Sequence, residues 1–440
     1  MELYDYQRPA ADALVEVLMA QRLAILNGDM GVGKTIIALD VIRRLGLPAV
    51  GVIAPKITLS AWERAAADMG VKLAFCSNPE MLRTGRKTDI VSKAKDKVFM
   101  FKLPPDSLIV FDELHRFGAP DSLVAYLLMG AKVSGCRVLG ATGTLGETPL
   151  KFRAILSLAN LVQWNEYWKW VSRHGCYRDH NITGSPWRFT RDKQKATEYM
   201  GEIHSMLFPK FGVRLRIKDI PEFPVCDTQV NLYDLPESLT AQVNEIYSRM
   251  RKEVRNPEAA KTMLTQLLRY RQQVQLVKVP LFIELAKELL LEGKSVVAFF
   301  DFREPQAAFV EGMRETLNET CPMVHGDQTK AARDAEIARF QENKCRVIAC
   351  ITQAGGIGVS IGDEDGLHPR VAIHNMPLDG ISASQACGRI HRATNKSKAL
   401  NVFALLAGSP VEERVYRMLR SKMRQMASVQ GDDIMETVLQ

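Results

Sequence analysis

The chain has 440 residues, of which 46% are hydrophobic and 25% are charged. This length suits two or three domains, and the composition is that of an ordinary globular protein without low-complexity segments. The net charge of +8 and the pI of about 9.0 favour a polyanionic partner, because Lys and Arg side chains neutralise phosphates.

The cysteine pattern and the hydropathy exclude several classes of protein. Eight cysteines are scattered without a CxxC pair, which argues against a zinc ribbon and against a secreted disulfide framework. His174, Cys176 and His180 lie close together, but their spacing fits no standard zinc site. The N-terminus has no apolar signal region, and no stretch approaches the roughly eighteen apolar residues of a membrane span. We therefore expect a soluble, cytoplasmic protein with no membrane partner.

Residues 1–160 alternate short apolar strands with helical patterns. Strands are predicted at 23–27, 49–54, 107–112 and 136–142, and helices at 34–44 and near 58–69. Continuous apolar strands separated by helices are typical of a parallel sheet that helices cover on both faces. The pattern predicts an α/β domain.

Residues 161–278 interrupt this alternation. Four of the five tryptophans lie there, at positions 164, 168, 170 and 187. They either pack an irregular subdomain, which is the favoured interpretation, or form a wedge that separates strands. A helical pattern follows from about 235 to 293, and basic residues outnumber acidic ones by eight to two between Arg249 and Lys278. Those basic side chains form either a solvated helix face or a phosphate-contacting surface.

The α/β alternation returns in residues 279–440. Strands are predicted at 295–300, 321–325, 345–350, 370–374 and 399–405. The predicted fold class is therefore α/β, with two parallel-sheet lobes in tandem and a helical insertion or linker between them.

The sharpest local pattern is a glycine-rich loop that matches G-x-x-x-x-G-K-[ST]. Its residues are Gly28, Asp29, Met30, Gly31, Val32, Gly33, Lys34 and Thr35. Glycines let backbone N–H groups wrap around phosphate oxygens at positions that a side chain would block. The loop lies between a predicted strand and a predicted helix, as ATP binding requires. We expect Lys34 to reach the β- and γ-phosphates and the Thr35 hydroxyl to hold Mg²⁺.

Two further pairs of residues complete a candidate ATPase site. Asp112 and Glu113 end an apolar strand about 80 residues after the loop. Asp112 is expected to hold Mg²⁺ through water, and Glu113 to orient or deprotonate the attacking water. Arg389 and Arg392 lie on one face of a predicted helix late in the second lobe. There they are expected to act as arginine fingers across a cleft.

In their order along the chain, these motifs resemble those of superfamily 2 helicases, and within them the Swi/Snf-like branch. The resemblance covers nearly the whole chain and implies two RecA-like lobes that hydrolyse ATP and move along nucleic acid. It implies nucleotide contacts by Gln7, Gly356 and Gly358. It implies that four residues couple the ATP state to the grip on nucleic acid: Thr142, Gly143, Thr144 and Gln385. It implies nucleic-acid contacts by four others: Lys56, Trp62, Arg303 and Thr352.

The sequence departs from the branch at two motifs. Leu145 stands where the branch usually has proline, and Ala393-Thr394-Asn395 replaces the usual Ile-Gly-Gln. These departures leave the ATPase prediction intact but argue against a nucleosome remodeller.

Three functions fit these patterns. The first is an ATPase that translocates on duplex DNA, and the second is a strand-separating helicase of DNA or RNA. The third is a nucleotide-gated scaffold subunit of a DNA-processing complex, which the intact acidic pair and arginines disfavour. A compact motor of this kind is expected in a phage, a virus or a bacterium, with protein partners for targeting.

Overall fold

The computed structural model describes residues 2–56, 58–84, 87, 89–93, 97, 99–179, 186–254, 263–352, 361–375, 380–409, 412 and 416–417. The chain forms two compact units, of which unit 1 includes Met1–Phe223 and unit 2 includes Pro224–Arg420. Among the helices in these described ranges, none combines the length and the apolar character that crossing a membrane requires.

Unit 1 is built on a parallel sheet. Its strands are β1 (Leu23–Gly28), β2 (Val50–Ile53), β3 (Phe75–Ser77), β4 (Val91–Lys93), β5 (Phe99–Phe101), β6 (Leu108–Asp112), β7 (Arg137–Thr142), β8 (Cys176–Arg178), β9 (Trp187–Phe189) and β10 (Gly212–Leu215). Six of them form the sheet in the order β10-β1-β7-β6-β2-β3, and every pairing in it is parallel. The others form two small antiparallel pairs, β4 with β5 and β8 with β9.

The sheet of unit 1 is covered on both faces because its strands alternate between two apolar cores. In β1, Leu23 and Ile25 belong to one core, whereas Ala24 and Leu26 belong to the other. Side chains of successive strand residues point to opposite faces, so a strand that is apolar throughout needs helices on both sides. The helices are α1 (Arg8–Ala20), α2 (Lys34–Leu45), α3 (Leu59–Asp68), α4 (Pro79–Arg83), α5 (Leu123–Val133), α6 (Arg153–Leu158), α7 (Tyr167–Arg173) and α8 (Lys193–Leu207).

Unit 2 repeats this architecture. Its strands are β11 (Cys226–Tyr233), β12 (Ser295–Phe300), β13 (Met323–Val324), β14 (Val347–Ile351), β15 (Arg370–His374) and β16 (Ala399–Leu406), and its helices are α9 (Glu237–Val254), α10 (Met263–Val277), α11 (Val279–Leu291), α12 (Arg303–Leu317), α13 (Lys330–Gln341) and α14 (Gly380–Cys387). The strands form a parallel sheet in the order β11-β16-β15-β12-β14-β13. The structure therefore confirms the predicted α/β class, with two parallel sheets in tandem.

The segment 161–278, predicted as an insertion and linker, supplies an edge strand to each sheet. β10 pairs with β1, and β11 pairs with β16 along its whole length. The two units accordingly divide between Phe223 and Pro224, inside that segment. Edge strands are only half covered, and the mixed polar sequence of β11 lacks the continuous apolar run by which the central strands were predicted.

The tryptophans of this segment pack rather than project. Trp164, Trp168, Trp170 and Trp187 are half-buried against the core of unit 1. Trp168 stacks on Trp187 with their ring centroids 4.8 Å apart. The guanidinium of the buried Arg153 lies 4.0 Å from the ring of Trp164. These contacts support the packing interpretation over the wedge.

A buried ion pair stabilises unit 2. Lys278, which precedes α11, donates from Nζ to the two carboxylate oxygens of Glu412 at 3.0 and 3.1 Å and to the carbonyl of Ala404 at 2.6 Å. Glu412 also accepts the backbone N–H of Leu406 at 2.7 Å, at the end of β16. Both side chains are almost inaccessible to water.

Removal of one partner from this pair should destabilise the protein strongly. Lys278→Met leaves the Glu412 carboxylate buried without a counter-charge, so we expect the free energy of unfolding to fall by about 3–5 kcal/mol. The double variant Lys278→Met/Glu412→Leu should lose less than the single variant, because it buries no unpaired charge. Urea denaturation followed by circular dichroism measures both. Lys287→Ala, in an exposed pair with Glu284, is the control, and equal losses in Lys287→Ala and Lys278→Met would contradict the assignment.

Candidate functional site

The glycine-rich loop lies between the end of β1 and the start of α2, as predicted. Gly31 and Gly33 have φ values of 90° and 83°, which side chains disfavour. A Cβ atom on Gly33 would lie 2.2 Å from Nε2 of Gln7, so this position also needs glycine for space. In the first turn of α2 the backbone N–H groups of Ile36 and Ile37 donate to the carbonyl of Gly33 at 3.0 and 3.1 Å, so the positive end of the helix dipole directly follows the loop. The loop therefore has the geometry of an anion cradle.

Lys34 folds back over the loop that precedes it. Its Nζ donates to the carbonyls of Gly28 and Asp29 at 2.9 and 3.0 Å. Gly143 lies directly beside this group, since a Cβ atom there would be 3.1 Å from Sδ of Met30 and 3.9 Å from Nζ of Lys34. The structure thus brings the predicted coupling residue Gly143 to the predicted nucleotide-binding lysine.

Gln7, near the N-terminus of the chain, is hydrogen-bonded to the glycine-rich loop. Its Nε2 donates to the carbonyl of Val32 at 2.9 Å, and the Tyr6 hydroxyl donates to the same carbonyl at 3.3 Å. Its Oε1 accepts the backbone N–H of Tyr4 at 3.0 Å. Burial raises the pKa of Tyr6 to about 12, so this hydroxyl stays protonated as a donor. Gln7 therefore meets the glycine-rich loop through the backbone of Val32, and its contact with the nucleotide stays a prediction.

Asp29 is held by residues that the sequence patterns did not single out. The guanidinium of Arg214 on β10 donates to its Oδ1 at 2.5 Å, and the backbone N–H of Ile217 donates to its Oδ2 at 2.8 Å. Arg214 also donates to the carbonyl of Asn27 at 3.2 Å. The side chain of Asp29 thus fixes the loop, and the nucleotide contact predicted for Asp29 stays a prediction. No local pattern predicts a partner so distant in the chain.

The carboxylate of Asp112 is half-buried at the end of β6. Its Oδ2 accepts the indole N–H of Trp62 at 2.9 Å and the hydroxyl of Thr58 at 3.4 Å, and its Oδ1 accepts the backbone N–H of Glu113 at 3.1 Å. Burial, with the charge of Glu113, raises the pKa of Asp112 to about 6, while Trp62, Lys34 and the Glu113 amide act in the opposite direction. At neutral pH the carboxylate is therefore charged.

Trp62 was predicted to contact nucleic acid, and this prediction is wrong. The side chain is only 1% exposed and belongs to the core between α3 and the sheet. Its indole N–H donates to Asp112. A tryptophan at helical spacing from other apolar residues faces the core.

Glu113 directly follows β6 and lies near the end of the neighbouring strand β7. It adopts a left-handed backbone conformation with φ of 54° directly after β6. Nδ1 of His115 lies 3.3 Å from its Oε2 and 3.1 Å from the hydroxyl of Thr142, at the end of the adjacent strand β7. The Thr142 hydroxyl in turn accepts the backbone N–H of Thr144 at 3.3 Å. His115 thus lies between the predicted base Glu113 and the predicted coupling residue Thr142, which is hydrogen-bonded to the predicted coupling residue Thr144.

These groups fit a polyphosphate with a hard divalent cation. The cradle and Lys34 supply N–H donors and positive charge for phosphate oxygens. The hydroxyl of Thr35, in the first turn of α2, and the carboxylate of Asp112 are oxygen ligands of the kind that Mg²⁺ prefers. Glu113, a carboxylate at the same edge of the sheet, is placed to accept a proton.

The predicted arginine pair of unit 2 does not lie on a helix. α14 ends at Cys387, so Arg389 falls in the following turn and Arg392 beyond it. The backbone of Arg389 donates to the carbonyl of Ala386 and accepts the N–H of Ile361, both at 3.1 Å. Burial lowers the pKa of Arg392 to about 10, which leaves it charged at neutral pH. The prediction of a shared helix face is wrong because the glycine at 388 interrupts the helix.

The remaining predicted residues are distributed as follows. Lys56 and Arg303 are exposed, and Arg303 pairs with Asp327. Thr352 is half-buried and donates to the carbonyl of Phe300 at 3.1 Å, and Gln385 is half-buried in α14. Gly356 and Gly358 lie outside the described residues. The roles of these residues stay predictions.

Comparisons with known proteins show what this chain is similar to. A family model described as helicase conserved C-terminal domain matches residues 280–394. A protein of Acanthamoeba polyphaga mimivirus, provisionally named an ATP-dependent RNA helicase, is 26% identical over 98% of this chain and 84% of its own length. Chromodomain-helicase-DNA-binding protein 1 of Homo sapiens is 24% identical over 96% of this chain, which spans 26% of that relative. The Sulfolobus solfataricus SWI2/SNF2 ATPase core in complex with dsDNA is similar at 18% identity and a TM-score of 0.41, covering 98% of this chain and 94% of that one.

The family match falls on the part of unit 2 that carries Arg389 and Arg392, and both sequence relatives align with nearly the whole chain. The chain is an ATP-hydrolysing helicase that acts on nucleic acid. Unit 2 carries its helicase C-terminal domain, and units 1 and 2 each contain one parallel sheet.

Loss of the loop lysine or of the acidic base should abolish ATP hydrolysis by the helicase while the fold remains. Lys34→Ala removes the charge at the cradle, and Glu113→Gln removes the proton acceptor, so we expect turnover to fall by about 10²–10⁴-fold. A coupled assay of ATP turnover, with circular dichroism for the fold, tests both. Glu80→Gln, at an exposed glutamate that pairs with Arg116, is the control; normal turnover in either site variant would refute the assignment.

Protons should compete with Mg²⁺ at Asp112. Because burial raises its pKa to about 6, a pH change from about 7.5 to about 5.5 neutralises most of this carboxylate in the nucleotide-free helicase. Only the charged form attracts a cation, so the gain in ATP-analogue affinity that Mg²⁺ provides should fall by about fourfold. Calorimetry with and without Mg²⁺ at the two pH values measures this gain.

The control for this titration is Asp112→Asn, which separates protonation of the protein from protonation of the nucleotide. The extra fourfold loss should be missing from that variant. If the wild-type helicase and Asp112→Asn respond identically to pH, Asp112 does not attract the cation.

Proposed function

We propose that this helicase is a translocase of duplex DNA that hydrolyses ATP with Mg²⁺. In this proposal Thr35 and Asp112 hold the cation, and the cradle and Lys34 hold the phosphates. Glu113 accepts the proton of the attacking water. Arg389 and Arg392 supply positive charge to the transferred phosphoryl group.

The observation that favours duplex over single-stranded nucleic acid is the placement of the tryptophans. Proteins that track single strands stack bases on exposed aromatic side chains. In this chain Trp62 is buried, and the other four tryptophans pack against the core of unit 1. The candidate contacts that remain exposed are the charged residues Lys56 and Arg303. Charged side chains bind backbone phosphates, which a duplex presents in a regular array and which carry no sequence information.

A strand-separating RNA helicase is the second candidate. The mimivirus relative, which matches nearly the whole chain, carries RNA helicase in its name, whereas the human relative is named for DNA binding. The ATPase chemistry is the same in both cases, so the nucleic acid that stimulates hydrolysis distinguishes them.

We expect duplex DNA to stimulate ATP turnover more than single-stranded DNA or RNA of the same length. We expect this because two nucleic-acid contact regions that both bind backbone phosphates hold a duplex best. Turnover measured across the three nucleic acids tests this, and triplex-strand displacement without fork unwinding should accompany it. Stimulation by RNA alone, or stimulation by no nucleic acid, would contradict the proposal.

Duplex-binding affinity measured at several salt concentrations examines the contact at Lys56. Lys56→Ala should weaken duplex binding uniformly across sequences and reduce the slope of log affinity against log salt by about 1. Lys72→Ala, which removes an equally exposed lysine after α3, is the matched control and should leave the slope unchanged.

A further inference from the structure

The segment that follows β2 joins an exposed lysine to the metal-binding carboxylate. Lys56 is exposed, whereas Thr58 and Trp62 are 8% and 1% exposed. Thr58 directly precedes α3, and Trp62 lies in its first turn. The indole N–H of Trp62 donates to Oδ2 of Asp112, and the hydroxyl of Thr58 lies 3.4 Å from the same oxygen. A displacement of this one segment therefore moves both donors relative to the carboxylate.

Thr58 has two acceptors for a single proton. Its hydroxyl lies 3.0 Å from the carbonyl of Pro55 and 3.4 Å from Oδ2 of Asp112. A hydroxyl donates one hydrogen bond at a time. The shorter distance favours Pro55, which adjoins Lys56. Thr58 therefore has two competing acceptors, and a shift of the loop changes its distance to each of them.

Trp62 makes this arrangement sensitive to small displacements. Its ring is fixed in the core of unit 1, among residues of α2 and β2 such as Val41 and Val52, so the indole N–H moves only with α3. Its bond to Asp112 is 2.9 Å long, and hydrogen bonds of this kind are lost by about 3.6 Å. Sub-ångström movements of α3 consequently alter the support of the carboxylate.

We propose that Thr58 and Trp62 are positioning residues that couple nucleic acid bound at Lys56 to the cation held by Asp112. The inference rests on the proposed function, because it takes Lys56 as a phosphate contact and Asp112 as a cation ligand. Nucleic acid on the loop orients the two donors on Asp112, and the cation on Asp112 orients the loop. Binding free energies are reciprocal, so the coupling has the same size in both directions.

The test measures this coupling without catalysis. The affinity of the full chain for a non-hydrolysable ATP analogue with Mg²⁺ is measured by calorimetry, with and without the nucleic acid that stimulates turnover most. The ratio of the two dissociation constants is the coupling factor, which we expect to be at least about fivefold in the wild-type protein. Trp62→Phe and Thr58→Val each remove one donor and retain most of the side-chain volume.

We expect both variants to bring the coupling factor close to one. Their affinity for the analogue in EDTA should stay within about twofold of the wild-type value, because the cradle and Lys34 are unchanged. Trp170→Phe, which removes a half-buried tryptophan of unit 1 that stacks on His174, is the matched control and should keep the full coupling. If Trp62→Phe fails to fold, Thr58→Val alone decides the question.

The outcomes separate the two proposals. If the wild-type protein shows the expected coupling factor and both Thr58→Val and Trp62→Phe retain it, the positioning role of these residues is overturned. The proposed function then still stands. A wild-type protein in which no nucleic acid alters analogue affinity or ATP turnover would instead overturn the proposed function. Loss of the EDTA affinity in the variants would show that the residues only support the fold.

Discussion

Unit 1 must keep a carboxylate charged at a position largely removed from water, and the rest of the site depends on this constraint. Removal from water and the charge of Glu113 both favour the protonated form of Asp112. The indole of Trp62, the ammonium of Lys34 and one backbone N–H favour the ionised form. The balance places its pKa at about 6, so the group is charged at neutral pH but remains responsive to its neighbours.

Sheet topology explains why the functional residues meet. β1, β7 and β6 are neighbours in the parallel sheet, so their carboxyl ends share one edge. The glycine-rich loop leaves β1, Thr142 ends β7 and Asp112 ends β6. Ligands of open α/β sheets bind outside the carboxyl ends of the strands. The hydrogen bonds from His115 to Thr142 and from Gln7 to the loop then fix these segments to one another.

Sequence patterns were sufficient for features that are local in the chain. Apolar strands buried on both faces predicted the central strands of both sheets, and the glycine spacing predicted the loop before α2. Features that depend on distant partners were not predictable. The bond between Arg214 and Asp29 spans 185 residues, and the edge strands β10 and β11 lack continuous apolar runs. The orientation of Trp62 was not predictable either. Its motif indicated a functional segment, but only the packing of α3 reveals that the side chain faces the core and not the solvent.

Amide hydrogen exchange of the full chain, with and without a Mg²⁺-bound non-hydrolysable ATP analogue, tests the nucleotide site most directly. The account predicts slower exchange of the loop amides at Gly31–Thr35, because they donate to phosphate oxygens, and loss of this protection in Lys34→Ala. The segment that contains Asp112 and Glu113 should also become protected. Protection confined to other parts of the chain, with the loop amides unchanged, would contradict the account.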